Sequence, residues 1–187
     1  MMRSSLLFRM YCCLFAAACC LSCGESDTLY ARMPAKFIMD NIYSVPQLYT
    51  ACNSMGEFCT IYGSNSQYIF ASPTGSTPIN KTALSQYSGF YLGLSGGFIV
   101  GLPNIPEMGR DVPVVVCFDL ACSNCYDEGN IAKRLILQEG GFAYCSRCHR
   151  TYDLNNLGIV SLGEGGRALF RYRVNYIASS GSLIINN

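Results

Sequence analysis

The chain has 187 residues, half of them hydrophobic, with 13 basic against 12 acidic side chains and a formal net charge of +1. That length and apolar content suit one domain with an ordinary core. A nearly neutral chain has no field to draw in a phosphate backbone, so no nucleic-acid partner is expected.

Arg3 and Arg9 precede an apolar run over residues 10–21, followed by the small residues Ser22, Cys23 and Gly24. A basic head, a hydrophobic middle too short for a permanent anchor and a small-residue cleavage region make residues 1–22 a signal peptide. Leu21-Ser22-Cys23 resembles the lipobox of bacterial lipoproteins, with Cys20 standing where that motif prefers Leu. The resemblance implies lipid attachment at Cys23, Cys19 and Cys20 being rival positions. Gly24, Glu25, Ser26 and Asp27 resemble the acidic export signal of some Bacteroidetes lipoproteins. Together these imply an outer-membrane lipoprotein, facing the periplasm or the cell surface and tied to the membrane by its N-terminal lipid. Residues 23–35 then form a flexible tether, and 36–187 the folded domain. Without residues 1–22 the chain keeps 11 basic and 12 acidic side chains. Arg167, Arg171 and Arg173 accordingly read as a solvated strand face.

The domain pattern is short, apolar and aromatic. Residues 58–62 (FCTIY) and 67–71 (QYIFA) read as strands joined by a Gly-Ser-Asn-Ser hairpin loop. Cys52 and Cys59 enclose NSMGEF, a loop that a disulfide can close, or they remain two partly buried thiols. Residues 72–81 are rich in Pro, Ser and Thr and read as a loop, with the one short helix expected over 79–87. Gly89, Gly93, Gly96, Gly97 and Gly101 punctuate an apolar stretch and suggest bulges or close backbone packing. Residues 113–120 (PVVVCFDL) read as a fully buried strand, 131–137 and 142–144 as two more, and 168–177 and 182–185 as the closing pair. No stretch keeps a sustained helical period, so the expected class is all-β.

Residues 122–153 carry the strongest chemical signal: Cys122-Ser-Asn-Cys125, nineteen residues, then Cys145-Ser-Arg-Cys148-His149. Each Cys-x-x-Cys turn aims two sulfurs to one side, and two such turns at adjacent hairpin tips complete a tetrahedron around a metal. Zinc, one ion per chain, is the expected occupant; a single rubredoxin-like iron or a [2Fe–2S] cluster is the alternative, and disulfides compete in an oxidising envelope. Cys145–His149 also spells the c-type haem attachment pattern. Haem would leave the first cysteine pair unexplained, and no downstream Met or second His completes its axial ligation. His149 is the only histidine, and it adjoins a ligand cysteine. It is expected to be exposed or to donate a hydrogen bond toward a sulfur. Four thiolates close the site to water, so no catalytic residue is assigned.

The same stretch resembles Rieske iron–sulfur domains, which carry Cys-x-His in one loop and Cys-x-x-His in the next, followed by an aromatic residue and Asp. Here Cys122-Ser123-Asn124 and Cys145-Ser146-Arg147-Cys148 stand at those loops, with Tyr152-Asp153 behind them. From about Thr74 onward, including TPINKTAL, GLPNIPEMG and YDLNN, the chain is similar to Rieske-like lipoproteins of the Bacteroidetes. The resemblance implies a Rieske-like antiparallel β-sandwich whose metal-binding subregion spans residues 117–153, with two metal-binding hairpin loops at one end. Asn124 and Cys148 replace the two histidines, so the donor set becomes four cysteines. The reading is a lipid-anchored envelope protein with a structural four-cysteine zinc site. The alternatives are an iron-bearing electron carrier and a surface module whose aromatic residues meet an unknown envelope protein or ligand.

Overall fold

The computed structural model describes residues 30–84 and 89–187. The expected signal peptide, Cys23 and residues 24–29 of the expected tether lie outside the described residues, while the rest of that tether is tied to the fold: Ala31 N–H bonds the Arg171 carbonyl and buried Ala35 opens the first strand. The strands in chain order are β1 (Ala35–Met39), β2 (Glu57–Gly63), β3 (Gln67–Ser72), β4 (Gly75–Asn80), β5 (Tyr91–Leu92), β6 (Gly97–Leu102) and β7 (Val116–Asp119). They continue with β8 (Ile136–Gln138), β9 (Phe142–Tyr144), β10 (Thr151–Asp153), β11 (Ile159–Leu162), β12 (Arg171–Ile177) and β13 (Ser182–Asn186). Helix α1 (Pro46–Asn53) and helix α2 (Ser123–Gly129) are the α-helices among the described residues.

Nine strands form one sheet in the order β4-β3-β2-β6-β7-β12-β13-β1-β5, and β11-β10-β9-β8 form a second. Every strand pairing in both is antiparallel, so the all-β expectation holds. The large sheet folds over on itself. Phe37 of β1 meets Tyr68 and Phe70 of β3, with centroids 5.6 and 6.3 Å apart, although those strands lie near opposite ends of the sheet.

Strand alternation divides the interior into two cores. On β2, β6 and β7, Cys59, Ile61, Phe98, Val100 and Cys117 point into the fold of the large sheet. Phe58, Ile99, Val116 and Phe118 point the other way, onto Ala143, Tyr152 and Leu154 of the small-sheet region. Successive side chains of a strand face opposite sides, so strands buried on both faces read as continuous apolar runs. That is why residues 113–120 look unbroken in sequence. Gly101 faces the backbone carbonyl of Glu57 and the ring of Phe58 so closely that any Cβ would collide with both. Here the expected close backbone packing is observed.

Asp119, fully buried at the end of β7, organises the approach to the first cysteine pair. Its carboxylate accepts hydrogen bonds from Leu94 N–H (2.7 Å), Ala121 N–H (2.7 Å), Tyr172 O–H (2.7 Å) and Ser95 O–H (3.3 Å). Burial pushes its pKa up and these four donors oppose the shift.

Several sequence expectations are corrected. Residues 75–80 are not loop but strand β4, paired along its length with β3; hydroxyl-bearing residues and a proline are tolerated there because β4 is an edge. Residues 81–84 form only a short 3-10 turn, while residues 85–87 of the expected helix lie outside the described residues. The helix that packs on the large sheet is α1, which begins at Pro46 and buries Leu48, Ala51 and Cys52 on one face. Residues 131–135 lie outside any strand: Lys133 N–H turns back to the Ile131 carbonyl at 2.8 Å, and Arg134 makes an isolated bridge to Ala121. Arg171 is no solvated residue: it is buried and ion-paired with Glu107. Of the two readings kept for Cys52 and Cys59, the thiol one matches: both are free cysteines buried in the larger core. Burial pushes Cys52 up to about 12 and Cys59 higher still, so both stay protonated.

Candidate metal centre

The four cysteines arrive on two different kinds of turn. Strand β7 delivers the chain to Cys122, which caps α2: its sulfur accepts from the Cys125 N–H at 3.5 Å. The first pair therefore sits on the opening turn of a helix and not at a hairpin tip. The Cys-x-x-Cys spacing fits either, because one helical turn also brings residues i and i+3 to the same side. The helix stops after Gly129 at Asn130, whose left-handed backbone (φ 54°) lets its N–H reach the last carbonyls.

The second pair does occupy a hairpin tip, between β9 and β10. Cys145 N–H bonds the Arg150 carbonyl at 2.9 Å, and His149 N–H bonds the Cys145 carbonyl at 2.9 Å. The turn closes with His149 in the left-handed region at φ 60°.

All four sulfurs lie within 4.8 Å of one another. The nearest pairs cross between the turns: Cys122–Cys148 and Cys125–Cys145, each 3.6 Å. A tetrahedral ion with metal–sulfur bonds of about 2.3 Å has sulfur–sulfur edges of about 3.8 Å. The donor set fits one such ion. Cys122, Cys125 and Cys145 are buried and Cys148 is half-buried.

Neighbouring side chains hold the sulfurs in place. Asn124, at 4 % exposure, donates through Nδ2 to the Tyr152 hydroxyl (2.8 Å) and to the Arg167 carbonyl (2.9 Å). Its Oδ1 accepts from the Arg167 N–H at 3.0 Å. Because the Tyr152 oxygen already accepts from Asn124, its own hydrogen is left for the Cys122 sulfur, 3.1 Å away. Arg150 is buried beside the second pair, where it meets the Glu128 carboxylate at 2.8 Å and donates Nε to the Glu164 carbonyl at 2.8 Å. Burial works against the Cys148 thiolate. Hydrogen bonds from the Arg150 backbone, from Cys122 and Cys145 and from the Arg150 side chain outweigh it and bring the pKa down to about 7. Burial instead pushes Cys122 and Cys125 up.

Cys122, Cys125, Cys145 and Cys148 are thus brought together, while His149 is not directed at them. Its exposed ring bonds the Tyr144 hydroxyl through Nδ1 at 2.7 Å, since its left-handed backbone turns the side chain away from the sulfurs. The roles of Asn124, Tyr152 and Arg150 were not assigned from sequence. Arg150 was the most findable, as the cation immediately after the second motif. Among the described aromatic residues, Tyr43, Tyr49, Tyr91 and Phe142 are exposed, and Tyr43 packs against Tyr49 with ring centroids 5.7 Å apart. Compared with known proteins, the chain matches no protein-family model and no curated protein sequence.

Proposed function

We propose that this is a lipid-anchored envelope protein of Rieske-like architecture whose four cysteines hold one structural zinc ion. The observation that carries the reading is the mutual approach of all four sulfurs within 4.8 Å. A two-iron cluster shares its four protein ligands between two irons and so needs two sulfur pairs set apart. Four sulfurs this close favour a single ion. Four thiolates around zinc carry two net negative charges, and buried Arg150, shared with Glu128, also bonds Cys148.

The mode of export favours zinc over iron. The N-terminus has Arg3 and Arg9 but no adjacent Arg pair, so a route for folded proteins is not indicated. A chain exported unfolded takes its metal outside, where zinc binds as the turns form and holds the sulfurs deprotonated. The second reading, a rubredoxin-like iron carrying electrons, is favoured by one feature. Cys148 is the sulfur nearest the surface, ringed by exposed Ser146, Arg147 and His149.

Elemental analysis of protein extracted from its own membrane without chelators tests both. One zinc per chain and no visible absorption is the expected result. One or two irons with colour overturns zinc and supports electron transfer. No metal, with the four cysteines recovered as disulfides, overturns both.

A further inference from the structure

The connection between β6 and β7 carries three large apolar side chains into solvent: Ile105 is 52 % exposed, Met108 fully exposed and Val112 65 % exposed. Three exposed apolar side chains within eight residues of one loop suit a contact surface. The start of the described chain is linked to this loop through Arg171. Tyr30 bridges Arg171 in parallel, and the Ala31 N–H bonds the Arg171 carbonyl at 2.8 Å. The Arg171 guanidinium in turn grips Glu107, next to Met108.

We propose that residues 104–112 rest on the same bilayer that holds the lipid at Cys23, as a second, non-covalent membrane contact. Such a contact rests on the lipoprotein reading above. The seven residues from Cys23 to Tyr30 span at most about 25 Å even when fully extended. A lipid at Cys23 therefore keeps the bilayer within that distance of a residue that already touches the Arg171–Glu107 pair. Charge around the exit matches a lipid surface. Arg173, exposed, packs over the Tyr30 ring at 4.9 Å. Side chains two apart on a strand share a face, so Arg173 points to the side where Arg171 meets the loop. Lys36 shares that face, since both residues register with Asn186. Exposed Arg32 lies on the same exit segment and exposed Arg110 on the loop itself. Apolar side chains flanked by cations favour the headgroup–acyl boundary of a membrane with anionic lipid. Glu107 is neutralised by Arg171, and exposed Asp111 holds the loop at headgroup depth instead of deeper. A lipobox cysteine carries two acyl chains, enough for stable anchoring, so the role assigned to the loop is to set how the domain lies on the bilayer.

The chain contains no tryptophan, so Met108→Trp in the full lipidated protein is a clean reporter at a fully exposed position. The protein would be placed in phosphatidylcholine–phosphatidylglycerol vesicles with and without bromine on the acyl chains. The expected result is a blue-shifted indole emission that loses roughly half its intensity to brominated lipid, as for a ring seated at the acyl boundary. A Leu162→Trp control on the small sheet should be quenched by aqueous iodide instead. Iodide quenching of the Met108→Trp protein while it remains on the vesicles would overturn the loop contact and leave the anchor standing. An indole on the loop shielded from both quenchers would also overturn it, in favour of contact between copies of the chain. Protein that does not stay with membranes would overturn the anchor reading and this inference together.

Discussion

Tyr152→Phe isolates one hydrogen bond to a metal ligand. The ring of Tyr152 is fully buried, and phenylalanine keeps its shape, so packing is preserved and only the hydroxyl is lost. Two bonds go with it: the one to the Cys122 sulfur at 3.1 Å and the one from Asn124 at 2.8 Å. The sulfur is a thiolate only when metal-bound, and a hydrogen bond to a charged acceptor contributes about 1.5–3 kcal/mol. The Asn124 bond is present with or without metal and contributes about 1 kcal/mol. Metal-free protein should therefore lose about 1 kcal/mol of stability. Zinc affinity should fall by roughly ten- to a hundredfold, the usual range for removing such a support. The affinity is read by competition with a chromophoric chelator at fixed pH, and the metal-free stability by denaturant unfolding. Affinity within about twofold of the parent would show that the hydroxyl does not support the bound sulfur.

Three further outcomes are expected. Cys122 and Cys125 are pushed up and so carry protons in the metal-free protein at neutral pH. Zinc must displace those protons, so its affinity should rise with pH, and calorimetric enthalpies should change with the ionisation enthalpy of the buffer. Buffer-independent enthalpies would contradict this. His149→Ala should leave zinc at one per chain, because the ring bonds Tyr144 and no sulfur; loss of metal on elemental analysis would make it a ligand. Gly101→Ala should destabilise by about 1–3 kcal/mol, since its Cβ meets the Glu57 carbonyl and the Phe58 ring. An unchanged denaturation midpoint would refute the close approach.

The clustering of the four cysteines was legible because Cys-x-x-Cys fixes two sulfurs locally, whatever the turn. The type of the first turn was not, since Ser123–Gly129 is a helix of only seven residues whose cap is the cysteine itself. Helix α1 escaped for a similar reason: its eight residues show one apolar face and Val45 provides no side-chain cap. Strand β4 was hidden by a composition that suits an edge as well as a loop. His149 drew attention as the single histidine, yet its orientation depends on a left-handed backbone that no local motif announces. Asn124 could be located beside the cysteines, but its partner at Arg167 lies 43 residues away, and only the fold joins them.

The division of the interior by β2, β6 and β7 bears on how the molecule comes apart. Three of the four sulfurs belong to the apolar cluster formed by Phe58, Ile99, Phe118 and Leu154, and none of the four to the cluster around Phe37 and Phe98. Proteins open in cooperative units whose stabilities differ. With zinc bound as proposed, the unit containing the two cysteine turns would draw on the ion, while the folded-over sheet draws on side chains alone. Removing the ion should lower the opening free energy of β9 and β10 before that of β1 and β13. Amide hydrogen exchange would then resolve two tiers, with the shared central strands following the slower one.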